Sequence, residues 1–336
     1  MMNNRLKKSI RLCMLLFLVA CTAESEKAPL DQVILQLAWK HQSQFAGFYA
    51  ADINGYYRDE NIQVSMQPRL APSFDGISPV VKGEADFGVT YGVGIIEARG
   101  KQMPVTAVAS IYQRYPLSFI SLQEKGITHP LDFFGQRFPV LSPGGASISF
   151  DLLLKKNNID KRDIVCVQTG YDLDRFFSGE IDVWAGYVTN EVLVAQKKGV
   201  KINQVKPNDF GVDMMGDTLF TSEMLLNTNP DLVLRFVRAT LRGWQWAVQH
   251  PEAAAKLALQ FDQTLDPAHQ VAIMKASIPY IHASVPIGVM DDTLWQDVHN
   301  TLLEQGIIEK PLNLNTVYSN TFVDKMYQDG ENATEK

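Results

Sequence analysis

The sequence predicts an α/β protein, and three features carry the prediction. From residue 33 onward, short runs in which apolar and polar residues alternate give way to runs with apolar residues at helical spacing, in strand–helix succession. That succession recurs: Gly83-Glu84-Ala85-Asp86-Phe87-Gly88 returns as Gly179-Glu180-Ile181-Asp182-Val183-Trp184, 96 residues later. After Leu226 the pattern is helical throughout. Two helix–Gly–Glu–x–Asp–strand units so spaced imply two lobes of similar build.

The chain is organised around residues 33–57. Val33, Leu35 and Leu37 alternate with polar neighbours, the period of a strand with one buried face, and the strand runs out at Trp39. A polar loop, Lys40 to Gln44, leads into a helix of small and aromatic residues that stops near Asn54-Gly55. The indole of Trp39 and the amides of Gln42 and Gln44 thus share one crevice with a helix start. Open α/β sheets bind small molecules at such strand ends. Phe45 and Phe48 read as core. Trp39 reads as a ligand contact, an apolar platform with one polar edge. His41 lies in the same crevice.

The next elements follow in order. Ile62 to Met66 alternates as a second strand, and Asp75 to Val81 reads as a helix capped by Ser73 or Asp75 and ended by Gly83. Phe87 to Val89 is a short strand, Gly92 to Arg99 a helix, and Val105 to Ile111 a buried strand. A second pass begins near Leu117, with a strand at Arg137 to Leu141 and a helix at Ile148 to Asn157. Ile164 to Val167 then forms a strand, in which Cys166 reads as buried, and Leu173 to Ser178 a helix. The chain crosses back between Asn208 and Leu226, with a strand at Thr218 to Thr221. Asn229-Pro230 caps a helix whose apolar stripe runs from Leu232 to Trp244. Three further helices cover Pro251 to Leu259, Pro267 to Ile278 and Asp291 to Leu303.

The N-terminus reads differently from this body. Arg5, Lys7, Lys8 and Arg11 precede a short apolar run, Leu12 to Ala20, that reads as an export signal. Leu18-Val19-Ala20-Cys21 resembles the bacterial lipobox, which makes Cys21 the expected site of acylation and the first mature residue. The expected location is therefore the extracytoplasmic face of a membrane, lipid-anchored. Without residues 1–20 the chain has 27 basic residues against 37 acidic, a net charge near −10, which argues against a nucleic-acid partner. Cys166 alone would remain in the body, so no intrachain disulfide is available. The expected division is 1–20 signal, 21–31 tether, 32–115 with 213–328 as one lobe, 116–212 as the other, and 329–336 a disordered tail.

Motifs for covalent chemistry are missing. The sequence has no P-loop, no Rossmann glycine fingerprint, no His-Glu-x-x-His, no Cys-x-x-Cys and no nucleophile elbow. Its six histidines are not paired at metal-ligand spacing, so neither a metal nor a cofactor is expected. What remains is recognition chemistry. Ser142-Pro143-Gly144-Gly145-Ala146-Ser147 opens a helix with small residues and offers backbone N–H groups at Ser142 and Gly145, or is a plain strand-to-helix turn. Trp184-Ala-Gly-Tyr187-Val-Thr-Asn190-Glu191 puts aromatics, an amide and a carboxylate at another strand end, suited to an amino-substituted heterocycle or an amine. Tyr91 follows its own strand in the same way.

Residues Trp39 to Tyr57, Gly83 to Gly92, Met103 to Ser110 and Ile181 to Glu191 resemble the NMT1/THI5-like (SsuA/THI5) family. That family includes substrate-binding proteins of ABC importers and the fungal enzymes that make the thiamin pyrimidine. The resemblance implies a type II periplasmic-binding fold, two α/β lobes around a ligand cleft with a helical C-terminal region. It implies ring stacking by Trp39 and Tyr187, and edge recognition by Asn190 and Glu191. The fungal enzymes carry a pyridoxal-phosphate lysine and a histidine where Thr90 and Gly94 stand here, and a cysteine-rich run where Val212 to Leu219 has no cysteine. The expected function is delivery of a small nitrogen heterocycle, such as a thiamin pyrimidine precursor, by a monomer to an ABC permease. The alternatives are a thiamin pyrimidine synthase-like enzyme and a ligand-binding partner of a membrane sensor.

Overall fold

The computed structural model describes residues 29–69, 76–142, 144–282 and 285–334. The export signal, Cys21 and the caps expected at Ser73 or Asp75 lie outside the described residues, as does Pro143. Ten strands occur among them: β1 (Asp31–Gln36), β2 (Ile62–Gln67), β3 (Phe87–Tyr91), β4 (Val105–Ser110), β5 (Leu117–Leu122), β6 (Arg137–Pro139), β7 (Val165–Val167), β8 (Val183–Tyr187), β9 (Ile202–Val205) and β10 (Asp217–Ser222). The first sheet has the order β2-β1-β3-β10-β4, with β1, β2 and β3 parallel and β10 antiparallel to both its neighbours. The second has the order β8-β5-β9, and β6 pairs with β7 as a parallel ribbon beside it.

The recurring Gly-Glu-x-Asp has a physical cause. Asp86 N donates to Ile34 O at 3.0 Å, and its carboxylate accepts from Ile34 N at 2.8 Å, tying β1 to the start of β3. Asp182 does the same for β6 and β8: its N donates to Arg137 O at 2.9 Å and its Oδ2 accepts from Arg137 N at 3.0 Å. Through Asp182 the second layer reads β7-β6-β8-β5-β9, strand for strand the order of the first. The two layers are joined by residues 111–116 and 206–216, which run side by side. Tyr115 N donates to Met214 O at 3.0 Å and Gly216 N to Tyr112 O at 2.9 Å.

The apolar stripe from Leu232 to Trp244 is buried as its spacing predicts, on the helix Pro230–Gln249. Asn229 caps that helix, its Oδ1 accepting from Leu232 N at 3.1 Å. The small-residue helix Ala46–Ile53 crosses it at a pair of glycines. A Cβ on Gly243 would stand 2.2 Å from Gly47 O, and one on Gly47 2.0 Å from the Trp244 ring. This close crossing buries Phe45, Phe48 and Tyr49 and fixes the loop that carries Trp39, Gln42 and Gln44. Among the described residues, no helix is long and apolar enough to cross a membrane.

Several expectations need correction. The first strand ends at Gln36, although Leu37 N still donates to Gln67 O and Arg69 N to Trp39 O, so the chain stays beside β2 as far as the indole. The helix expected from Asp75 starts at Ser78. The helix expected from Ile148 already begins at Gly145. Cys166 is exposed, not buried, because β7 is a three-residue edge strand paired on one side, and Ile164 supplies the buried side chain instead. The last helix, Thr321–Thr334, continues past residue 329, where a disordered tail was expected. Its buried Val323 and Met326 join the core under the first sheet, which holds the helix in place.

Candidate functional site

The C-terminal ends of the parallel strands in both layers open onto one cleft of about 440 Å³. All nine residues singled out in the sequence line it: Trp39, Gln42, Gln44, Tyr91, Ser142, Gly145, Tyr187, Asn190 and Glu191. They come from the ends of β1, β3, β6 and β8, which explains why strand-end reasoning found them together. His41 does not join them. Its Nδ1 bonds the Tyr49 hydroxyl at 3.0 Å and its ring lies 5.3 Å from Phe261, inside the first layer.

The walls are aromatic. Trp39 meets Tyr171 edge-on at 5.3 Å, and Tyr171 meets Trp184 at 5.7 Å, linking the two layers. Tyr115 stands between Tyr91 (5.2 Å) and Tyr187 (5.4 Å), edge-on to each. Tyr91 and Tyr187 end their strands 96 residues apart, so the internal repeat supplies one tyrosine from each layer to the Tyr115 cluster. The Gly144-Gly145 turn is needed here, since a Cβ on Gly145 would stand 2.7 Å from the Tyr115 hydroxyl and 3.0 Å from Tyr91 Cγ.

Glu191 is the polar centre. It is 5% exposed, and its carboxylate accepts from three donors: the Tyr171 hydroxyl, Tyr187 N at 2.6 Å and Asn190 Nδ2 at 2.8 Å. Burial raises its pKa, while those donors oppose the rise by stabilising the anion. Three donors and, among the described residues, no bonded acceptor describe an ionised carboxylate. Gly186 makes room for it, because a Cβ there would lie 2.7 Å from Glu191 Cβ. Asn190 occupies the N-cap position of the helix Glu191–Lys197 without capping it, forgoing about 1 kcal/mol of helix stability.

A second carboxyl sits behind the cleft wall. Asp217, 2% exposed, accepts from Gln44 Nε2 at 2.6 Å, and Gln42 Nε2 in turn donates to Gln44 Oε1 at 2.6 Å. Its other oxygen, Oδ1, meets no hydrogen-bond partner among the described residues. Burial pushes its pKa up to about 7, with the Gln44 bond the smaller, opposing influence.

Sequence reasoning did not select Arg69, Tyr115, Tyr171 or Trp184 as contacts, yet all four line the cleft. Arg69 follows β2 and Tyr171 follows β7, so extending the strand-end rule to every parallel strand would have found both. The Arg69 guanidinium lies 5.8 Å from the centre of the Trp39 ring. Trp184 stands within the quoted Trp184-to-Glu191 motif. Tyr115, on a crossing segment, had no local signal.

The family model described as NMT1/THI5 like matches residues 42–254. The riboflavin-binding protein RibY of Chloroflexus aurantiacus is 27% identical over 316 residues, covering 90% of this chain and 89% of that protein. The formylaminopyrimidine-binding protein of Halalkalibacterium halodurans is 26% identical over 323 residues, covering 91% and 95%. Among solved structures, the periplasmic aliphatic sulphonate binding protein SsuA of Escherichia coli aligns with a TM-score of 0.65 at 14% identity, over 86% of this chain and 92% of that one. The fold is that of the periplasmic binding proteins, two α/β layers around a cleft.

Proposed function

The chain belongs to the NMT1/THI5-like family, and on that premise we propose that it is an extracytoplasmic solute-binding protein that hands a flat nitrogen heterocycle to an ABC permease. One observation carries the proposal: the aromatic faces of Trp39 and Tyr187 and the ionised edge of Glu191 line the same cleft, drawn from both layers. A planar ring gains by stacking on such faces, and its N–H groups gain by donating to a buried carboxylate. The Glu191 donors leave the anion room for a further partner, since a carboxylate has about four acceptor sites.

Size narrows the class. A cleft of about 440 Å³ has room for more than a single ring. Of the heterocycles in the relatives' names, the flavin fits this volume better than the pyrimidine. A ligand that touches both layers stabilises the closed form, which a membrane partner can recognise. Anchoring through Cys21 belongs to the same reading. A synthase reading is less well supported, because an aldimine needs an amine and no lysine lines the cleft among the described residues.

Native mass spectrometry of the purified protein against riboflavin, aminopyrimidines, alkanesulfonates and amines tests the proposal. A one-to-one complex with a nitrogen heterocycle is expected. Binding confined to sulfonates would overturn it. Palmitate labelling that survives Cys21→Ser would remove the anchor.

A further inference from the structure

The helix Glu191–Lys197 lacks the cap its sequence offers. An Asn at the N-cap ordinarily accepts from an N–H of the first turn, but Asn190 makes no such bond. Its amide instead spans two other groups. Nδ2 donates to Glu191 Oε1 at 2.8 Å, and Oδ1 lies 3.0 Å from His269 Nε2. A carboxylate only accepts, so the amide can sit one way round, and Oδ1 receives the Nε2–H of His269.

That second bond joins the two layers. His269 stands on the helix Pro267–Ile281, whose Met274 and Ile281 pack in the core of the first sheet. Val192, on the Asn190 helix, packs with Ile120 and Trp184 of the second sheet. Asp266 braces the same junction. Its Oδ1 caps the His269 helix by accepting from Ala268 N at 2.9 Å and His269 N at 3.1 Å, while Oδ2 pairs with Lys197. Both partners of that ion pair are exposed, so the brace is weak and the half-buried His269–Asn190 bond is the stronger link. His269 itself does not line the cleft.

We propose that His269 is a positioning residue that couples closure of the two layers to the setting of the Asn190–Glu191 pair. The inference rests on reading the cleft as a closing binding site. When the layers part, Asn190 loses His269 and is free to turn back and cap its own helix, which removes one donor from Glu191. When they close, the amide is locked and Glu191 regains its third donor. Ligand recognition and closure thus depend on one hydrogen bond, and losing it lowers the population of the competent state.

Small-angle X-ray scattering of the ligand-free protein tests this without any ligand. His269→Ala should give a larger radius of gyration than wild type. His269→Gln, whose Nε2 can still donate to Asn190 Oδ1, should restore the wild-type curve. Three superimposable curves would overturn the proposal, as would a Gln variant as open as the Ala variant. A riboflavin titration separates this from the functional reading. If wild type binds riboflavin, His269→Ala should raise the dissociation rate about tenfold with little change in association. An unchanged dissociation rate would count against the coupling. If riboflavin does not bind wild type, the flavin preference fails and the scattering comparison still decides the role of His269.

Discussion

Asp217 and Glu191 are two buried carboxyl groups, Glu191 lining the cleft and Asp217 behind its wall, and they differ in the company they keep. Among the described residues, Glu191 receives three donors, whereas Asp217 receives one and leaves Oδ1 unmatched. The strands make the difference plain. In the first layer Asp217 pairs directly with Tyr91, and in the second Leu117 takes the matching place beside Tyr187. The second layer acquires its acid from three residues inserted between the strand end and the helix, Val188 to Asn190, which let Glu191 fold back onto Tyr187 N. Burial alone does not determine charge. The number of donors does, and it makes Glu191 the anion offered to a ligand and Asp217 a group that holds its proton near neutrality.

The largest expected effect breaks the pair at Asp217. Its pKa rises from 3.8 to about 7 on folding, so the native state holds a proton that the unfolded chain has released. Its contribution to stability is therefore lost as pH climbs from about 4 to about 7. Asp217→Asn keeps an acceptor for Gln44 and removes this loss. It should be more stable than wild type at pH 9 by about 2–4 kcal/mol and nearly equal at pH 4, read by denaturant unfolding at both pH values. Equal stability at pH 9 would mean that Asp217 is ionised at no cost.

Glu191→Gln comes next. Losing the anionic edge should weaken riboflavin binding by about 1–3 kcal/mol in a fluorescence titration, while Asp217→Asn changes it little. The reverse order would exchange the roles of the two acids. The comparison extends to the repeated aspartates. Asp182 is also paired with Arg137 at 2.7 Å and Lys125 at 2.9 Å, and the Arg137 bonds hold its pKa well below the usual carboxylate range. Among the described residues, Asp86 has no such ion pair, and its carboxylate accepts from Ile34 N. Asp182→Ala should therefore cost about 1–2 kcal/mol more in thermal unfolding than Asp86→Ala, the two cations being partly exposed. The smallest effect sharpens the first contrast. Tyr171→Phe takes one donor from Glu191 and should weaken binding by about 0.5–1.5 kcal/mol, with more loss at acid pH than in wild type.

The sequence made the cleft legible wherever a strand announced itself. A period-2 run located Trp39, the ends of two short strands located Tyr91 and Tyr187, and the helix starts that follow located Gly145 and Glu191. The Gly-Glu-x-Asp echo announced the repeated sheet order because the Asp performs the same backbone task in each layer. Tyr171 stayed hidden because β7 is three residues long, too short to show a period, and the same brevity misled the reading of Cys166. Asp217 was missed by one position, the strand being read from Thr218, and its partner Gln44 lies 173 residues away. His269 likewise pairs across 79 residues, a contact with no local trace.

A crystal structure of the protein grown with riboflavin would show whether the cleft grips a flat ring. The ring system should lie between the two layers, stacked on Trp39 or Tyr187, with a ring N–H donating to Glu191. A ligand seated outside the cleft, or a cleft whose Trp39 and Glu191 make no contact with it, would contradict the account.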